Sequence, residues 1–264
     1  MLRILLALLM LFVPVAAQAQ AFNHDRWDAL LKRNVVLVRG GVASAVRYDG
    51  MARDRAALKA YLADAGKVSR ATFDGWAKPE QLAFLINVYN AATVELILTA
   101  YPNIKSIKDL GTFLQGPWAK PFVALFGKQI SLDEIEHGMI RKSGRYNDPR
   151  IHFAVNCASI GCPALARSAF RGASLDGQLD AATRAFLSDR TRNRPQGNGV
   201  AVSNIFNWYR GDFEKGWRGA KTLPAFFALY ADSLGLSPAM AASAKGGQLD
   251  ISFLSYNWQL NKAG

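Results

Sequence analysis

The sequence predicts an α+β fold: several helices around a small, mainly antiparallel sheet, with one buried central helix at about 79–101. Three observations carry this. One long segment is apolar around nearly its whole circumference, short alternating runs are joined by glycine turns, and helical patterns do not alternate regularly with strands as a doubly wound sheet requires. About half the residues are hydrophobic, enough to fill a real core.

The central helix is "KPEQLAFLINVYNAATVELILTAYP". Pro79 suits a first helical turn, Glu80 favours the positive end of the helix dipole, and Pro102 stops the run. Leu82, Leu85, Ile86, Tyr89, Val94, Leu96 and Ile97 point in every direction, so Asn87, Asn90 and Glu95 are expected to face protein and to need partners there. Next, "FVALFGKQISL" reads as a hairpin turning at Gly127-Lys128. Ser131 and Glu134 then form a capping box for a helix to about Lys142, with Leu132, Ile135, Met139 and Ile140 inward and His137 off that stripe beside Asp133 and Arg141.

"RIHFAVNC" alternates as a strand entering the interior, which puts His152, Ala154 and Asn156 on one face and Cys157 on the other. Downstream, "SLDGQLDAATRAFLSD" is an amphipathic helix and "PQGNGVAVSNIFNWYRGDF" a hairpin feeding a helix. "TLPAFFALYAD" is a further helix, and "GGQLDISFLSYNWQLN" closes the chain as a strand after a glycine turn.

The amino terminus fixes the expected compartment. Arg3, the apolar block Ile4–Val13 and the small residues that follow have the form of a secretory signal peptide over residues 1–21, and the block is shorter than the roughly 18 residues a membrane span needs. An exported, periplasmic single domain over residues 22–264, with no transmembrane segment in the mature chain, is therefore expected. Its formal charge of +12 is spread along the chain, with "RTRNR" at 190–194 the densest cluster. Export argues against a nucleic-acid partner and leaves an anionic envelope component or a peptide-like substrate.

There is no GxSxG elbow, SxxK, HExxH, Walker loop or GxGxxG, and nothing calls for a cofactor. With His24 near the mature terminus, an internal site must use His137, His152 or neither. The only two cysteines stand in "HFAVNCASIGCPAL", which admits three readings. A Cys157–Cys162 disulfide is the ordinary fate of two nearby exported cysteines and closes a small ring worth roughly 2 kcal/mol. Thiol catalysis would take Cys157 as nucleophile, His137 or His152 as base, and Asn87, Asn90 or Glu95 to orient the base. A metal site of His152, Cys157 and Cys162 has spacings looser than zinc motifs, so none is assigned.

Five segments, "EQLAFLINVYNAATV", "ISLDEIEHGMIRK", "DPRIHFAVNCASIGCPAL", "SNIFNWYRGDF" and "LSYNWQLN", together resemble the family catalogued as domain of unknown function 547, over about residues 70–261. The motif positions this resemblance implies are Asn87, Tyr89, Asn90, Glu136, His137, His152, Asn156, Cys157, Cys162, Pro163, Trp208, Tyr209, Tyr256, Trp258 and Asn261. Leu85 departs from a pattern that often has an aromatic there. The resemblance implies no reaction. It suggests that the central helix, the His137 helix and the cysteine segment converge on one polar cleft. That cleft could serve a thiol-dependent hydrolase or transferase with His137 as the preferred base. Alternatively, it could be a non-catalytic envelope binding domain whose disulfide braces a loop and whose Trp208, Tyr209 and Trp258 recognise a ligand.

Overall fold

A computed structural model of the chain describes residues 21–112 and 114–264. The stretch 1–21, expected from the sequence to be a signal peptide, lies outside the described residues apart from its last residue. The architecture is α+β, with short strands in small sheets set among helices and one buried apolar helix.

That helix runs Lys78–Leu98, with Pro79 in its first turn and its end four residues before Pro102. It is long and apolar enough to cross a membrane by composition, yet it is buried inside the protein. Around it pack helices Tyr48–Arg53 and Arg55–Gly66, the turn Gly172–Ser174 and the helical segment Glu134–Arg141. Glu95 differs from its two amide neighbours. Its carboxylate faces the Arg55 guanidinium, which grips it through both Nε (3.1 Å) and Nη2 (2.7 Å), so it takes no part in a cleft.

Among the described residues the strands divide into three sheets rather than one. Strands β1 (Val35–Val38) and β2 (Ala43–Val46) pair antiparallel, as do β3 (Val123–Leu125) and β4 (Lys128–Ile130). Leu125 opposes Lys128, so the tight turn is Phe126-Gly127, one residue earlier than expected. Both turn residues have left-handed φ (51° and 74°), the geometry of a type I′ hairpin. In the third sheet, β6 (Gly199–Ser203) lies antiparallel to β5 (Arg194–Gln196) and parallel to β7 (Ile251–Leu254). The parallel pair follows from connectivity, because β7 returns only after the helical run 205–245, a crossover rather than a hairpin. Within that run the expected helix over 222–232 is split into Leu223–Ala228 and Ala231–Leu234.

The predicted strand at "RIHFAVNC" is a 3-10 helix, Pro149–Phe153, followed by irregular chain. Asp148 caps it by accepting the Arg150 N–H (3.0 Å), and Pro149 occupies its first position. A good helix start therefore overrides the apolar alternation. The assignment of His152 and Cys157 to opposite strand faces falls with the strand.

This turn sits between two apolar interiors. Ile151, Ala154 and Val155 belong to a largely aliphatic core around the central helix. Phe153 belongs to a second core with Phe186, Phe206, Phe213, Phe226 and Phe227, where Phe206 meets Phe213 and Phe227 at centroid distances of 4.9 Å.

Candidate functional site

The cysteine loop is held by asparagines. Asn90 donates to the Ala154 carbonyl (2.9 Å) and accepts the Asn156 N–H (2.8 Å). Asn156 in turn donates to the Pro163 carbonyl (2.7 Å) and accepts the Ala158 N–H (2.9 Å), at a residue with φ of 61°. From the other side, the Ile160 and Gly161 N–H groups donate to the carbonyls of Gln259 and Asn257 (2.8 Å each). The bonds made by Asn90 and Asn156 satisfy the backbone of buried residues. Asn87 does the same at a distance, bonding both the N–H and the carbonyl of Phe170 (3.0 and 2.7 Å). Asn87 and Asn90 therefore clamp backbone and do not orient a histidine.

Cys157 and Cys162 are joined as a disulfide, Cys157 partly exposed and Cys162 buried. The Tyr256 hydroxyl lies 3.2 Å from each sulfur. Gly161 permits this, since a Cβ there would meet the Tyr256 ring at 2.9 Å. With the sulfurs bonded to each other, a Cys–Cys–His metal set loses its two thiolates.

The facing wall comes from Glu134–Arg141, wound as a π-helix in which the Lys142 N–H donates to the His137 carbonyl five residues back (3.0 Å). Arg141 donates to His137 Nδ1 (2.8 Å), which leaves the ring proton on Nε2, 3.6 Å from Asp133. Burial, with some help from Glu136, raises the Asp133 carboxyl above its usual range despite the nearby His137. Buried Glu136 receives the hydroxyls of Tyr89 and Tyr209, and burial pushes both phenols up, so they stay protonated.

His152 has the most constrained environment. Its Nε2 lies 2.9 Å from Asp212 Oδ2, and its ring stacks on Tyr209 at 4.2 Å and 16°. Asp212 also accepts from Arg141 Nε (2.6 Å) and Lys215 Nζ (2.8 Å). Burial alone would raise the Asp212 carboxyl, but hydrogen bonds from His152, Lys215 and Arg141 win and hold it below the ordinary carboxylate range. Burial lowers the His152 pKa against the pull of Asp212. The ring is therefore neutral near pH 7, with its proton on Nε2 toward the carboxylate and its lone pair on Nδ1.

These walls enclose a cavity of about 220 Å³ at the seam of the two cores. Of the sequence candidates it gathers Tyr89, Glu136, His137, His152, Cys157, Cys162, Pro163, Trp208, Tyr209, Tyr256 and Trp258. It does not include Asn87, Asn90 or Asn156. Trp208 is 45% exposed and stacks on Trp258 (5.7 Å, 27°), which meets Trp118 at 5.8 Å. A second cavity of about 180 Å³ shares Tyr256 as lining.

Residues 73–187 match the model of the family described as protein of unknown function, DUF547. The DUF547 match takes in the central helix, the π-helix and the cysteine loop, and ends before Trp208, Tyr209, Asp212, Tyr256 and Trp258, short of the expected limit at 261. Comparison with curated proteins and with solved structures gives no match.

Asp212 and Arg141 are not singled out by the sequence as site residues, although each stands in a segment that carries the family resemblance, "SNIFNWYRGDF" and "ISLDEIEHGMIRK". No local signal marks Asp212, because its partner His152 is 60 residues away in sequence.

Proposed function

We propose that the protein is an exported single domain whose cavity binds a peptide-like component of the cell envelope, with Cys157–Cys162 bracing the cavity wall. The observation that carries this is the placement of the joined sulfurs: they lie in the lining of a preformed aromatic cavity. Concave sites of this kind, mostly apolar with a few fixed polar groups, suit a small ligand or a chain end. The short apolar leader and the oxidised cysteine pair both support export. Amino-terminal sequencing of the mature chain should begin near Gln20 or Phe22, and a retained leader would count against export.

Binding is tested by titrating soluble peptidoglycan fragments, which are anionic and peptide-bearing, against tryptophan fluorescence. Saturable quenching, weakened about tenfold by Trp208→Ala, supports the reading. A flat titration removes it.

A second reading, a thiol-dependent hydrolase or transferase, is favoured by one observation: His152 and Cys157 line the same cavity. In that reading a reductant frees Cys157, His152 rather than His137 takes the thiol proton, and the thiolate forms an acyl-enzyme. His152 is preferred because Nδ1 of His137 already accepts from Arg141. Intact mass after mild reductant and alkylation decides between the two. A bond that resists reduction sinks the thiol reading.

A further inference from the structure

His152 is more constrained than a binding wall needs. Its Nε2 is fixed by Asp212, and the carboxylate is held ionised by a guanidinium and an ammonium that also set its position. Tyr209 stacks on one face of the ring. The lone pair on Nδ1 belongs to a residue of the cavity wall, whereas Asp212 lies outside that wall. This is the arrangement of a general base and its orienting carboxylate. Arg141 completes the division of roles by occupying Nδ1 of His137, so only one of the two histidines keeps a free basic nitrogen.

We infer that His152 and Asp212 form a water-activating pair that hydrolyses an acyl ester of the cavity's ligand while the disulfide stays closed. This rests on the reading that the cavity takes a ligand, and it needs neither a thiol nor a redox partner. A water oxygen bonds to the acyl carbon as its proton passes to His152 Nδ1, and Asp212 stabilises the imidazolium. The tetrahedral intermediate then collapses with cleavage of the acyl carbon–oxygen bond, and the proton moves from His152 to the departing alkoxide. The products are an acid and an alcohol, with no electrons exchanged. The developing oxyanion can draw on the Tyr256 hydroxyl, whose present partners are sulfurs, which are weak acceptors.

The test uses the full mature chain, oxidised, with the disulfide verified by intact mass and no reductant present. p-Nitrophenyl acetate is the probe. Hydrolysis above buffer is expected, falling by on the order of 100-fold or more in His152→Gln and in Asp212→Asn. In ¹⁵N-labelled protein at pH 7, long-range proton–nitrogen spectra should show His152 as the Nε2–H tautomer, and Asp212→Asn should disturb it. This reading stands apart from turnover and survives should the Asp212 variant fold poorly.

The inference is overturned if His152→Gln, with native circular dichroism, cleaves the ester as fast as the wild type. It is also overturned by an Nδ1–H tautomer, by hydrolysis that appears only after reduction, or by no hydrolysis above buffer. Saturable fluorescence quenching by peptidoglycan fragments without ester hydrolysis removes this inference and leaves the binding reading standing. Hydrolysis without quenching keeps an ester as the cavity's ligand and removes the peptidoglycan-like one.

Discussion

The two interiors use polar groups in opposite ways. In the aliphatic core, the buried amides of Gln81, Asn87 and Asn90 all bond to backbone: Gln81 to the carbonyls of Phe73 and Trp76, Asn87 to Phe170, Asn90 to Ala154 and Asn156. The aromatic core is a cluster of phenyl rings with its ionisable groups pushed to the edge, where His152, Arg141 and Asp212 meet around Tyr209. Neutral amides thus brace backbone behind the cavity, Gln81 also accepting from Arg145 Nε (2.6 Å), whereas ionisable groups gather at its edge. A buried amide that satisfies backbone adds specificity without a charge to desolvate, whereas the ionised cluster survives because it sits at a seam beside open space.

The sharpest way to break this comparison is to empty the aromatic core. Phe206→Ala deletes a fully buried ring and should cost about 4 kcal/mol in urea unfolding. The His152 tautomer should be lost with it if that core holds Tyr209 in place. In the aliphatic core, Asn90→Ala strands the Ala154 carbonyl and the Asn156 N–H, two buried groups, and should cost about 3 kcal/mol. A loss as small as that of an exposed amide would show that the clamp is dispensable.

Acid should also act on the aliphatic side. His24, hydrogen-bonded to the Tyr61 hydroxyl at 2.8 Å, is pushed from 6.5 to about 4 by burial, with Arg171 adding to the effect and Asp25 opposing it. Below pH 6.5 the unfolded chain takes up a proton that the folded chain refuses. The contribution is therefore complete above pH 6.5 and is lost as pH falls toward about 4, on the order of 3 kcal/mol. Urea midpoints at pH 7 and 4.5 should converge in His24→Gln. Reducing the disulfide should cost least, about 2 kcal/mol for so short a ring. A much larger loss on reduction would mean that the loop, rather than the two cores, sets global stability.

The central helix and the β3–β4 hairpin were legible because each is specified by neighbouring residues: apolar residues all round in the first, a glycine turn in the second. The cysteine segment was not. Its alternation has the period of a strand, but the Asp148-Pro149 helix start competes with it and wins, and without the strand nothing separates His152 from the sulfurs. The site candidates were nonetheless mostly gathered at one cavity. What escaped were the charged partners, Asp212 and Arg141, whose roles arise only when distant segments meet. The asparagines were rightly placed in the interior and wrongly given to a histidine, since sequence shows that a buried amide needs partners but not which ones.

Tyr256 is a shared wall. It lines both the cavity of about 220 Å³ and the one of about 180 Å³, and the bare Cα of Gly161 is the recess that lets it stand there. A single methyl group at residue 161 would work as a doorstop, pushing the ring and its hydroxyl away from both sulfurs and reshaping both chambers at once.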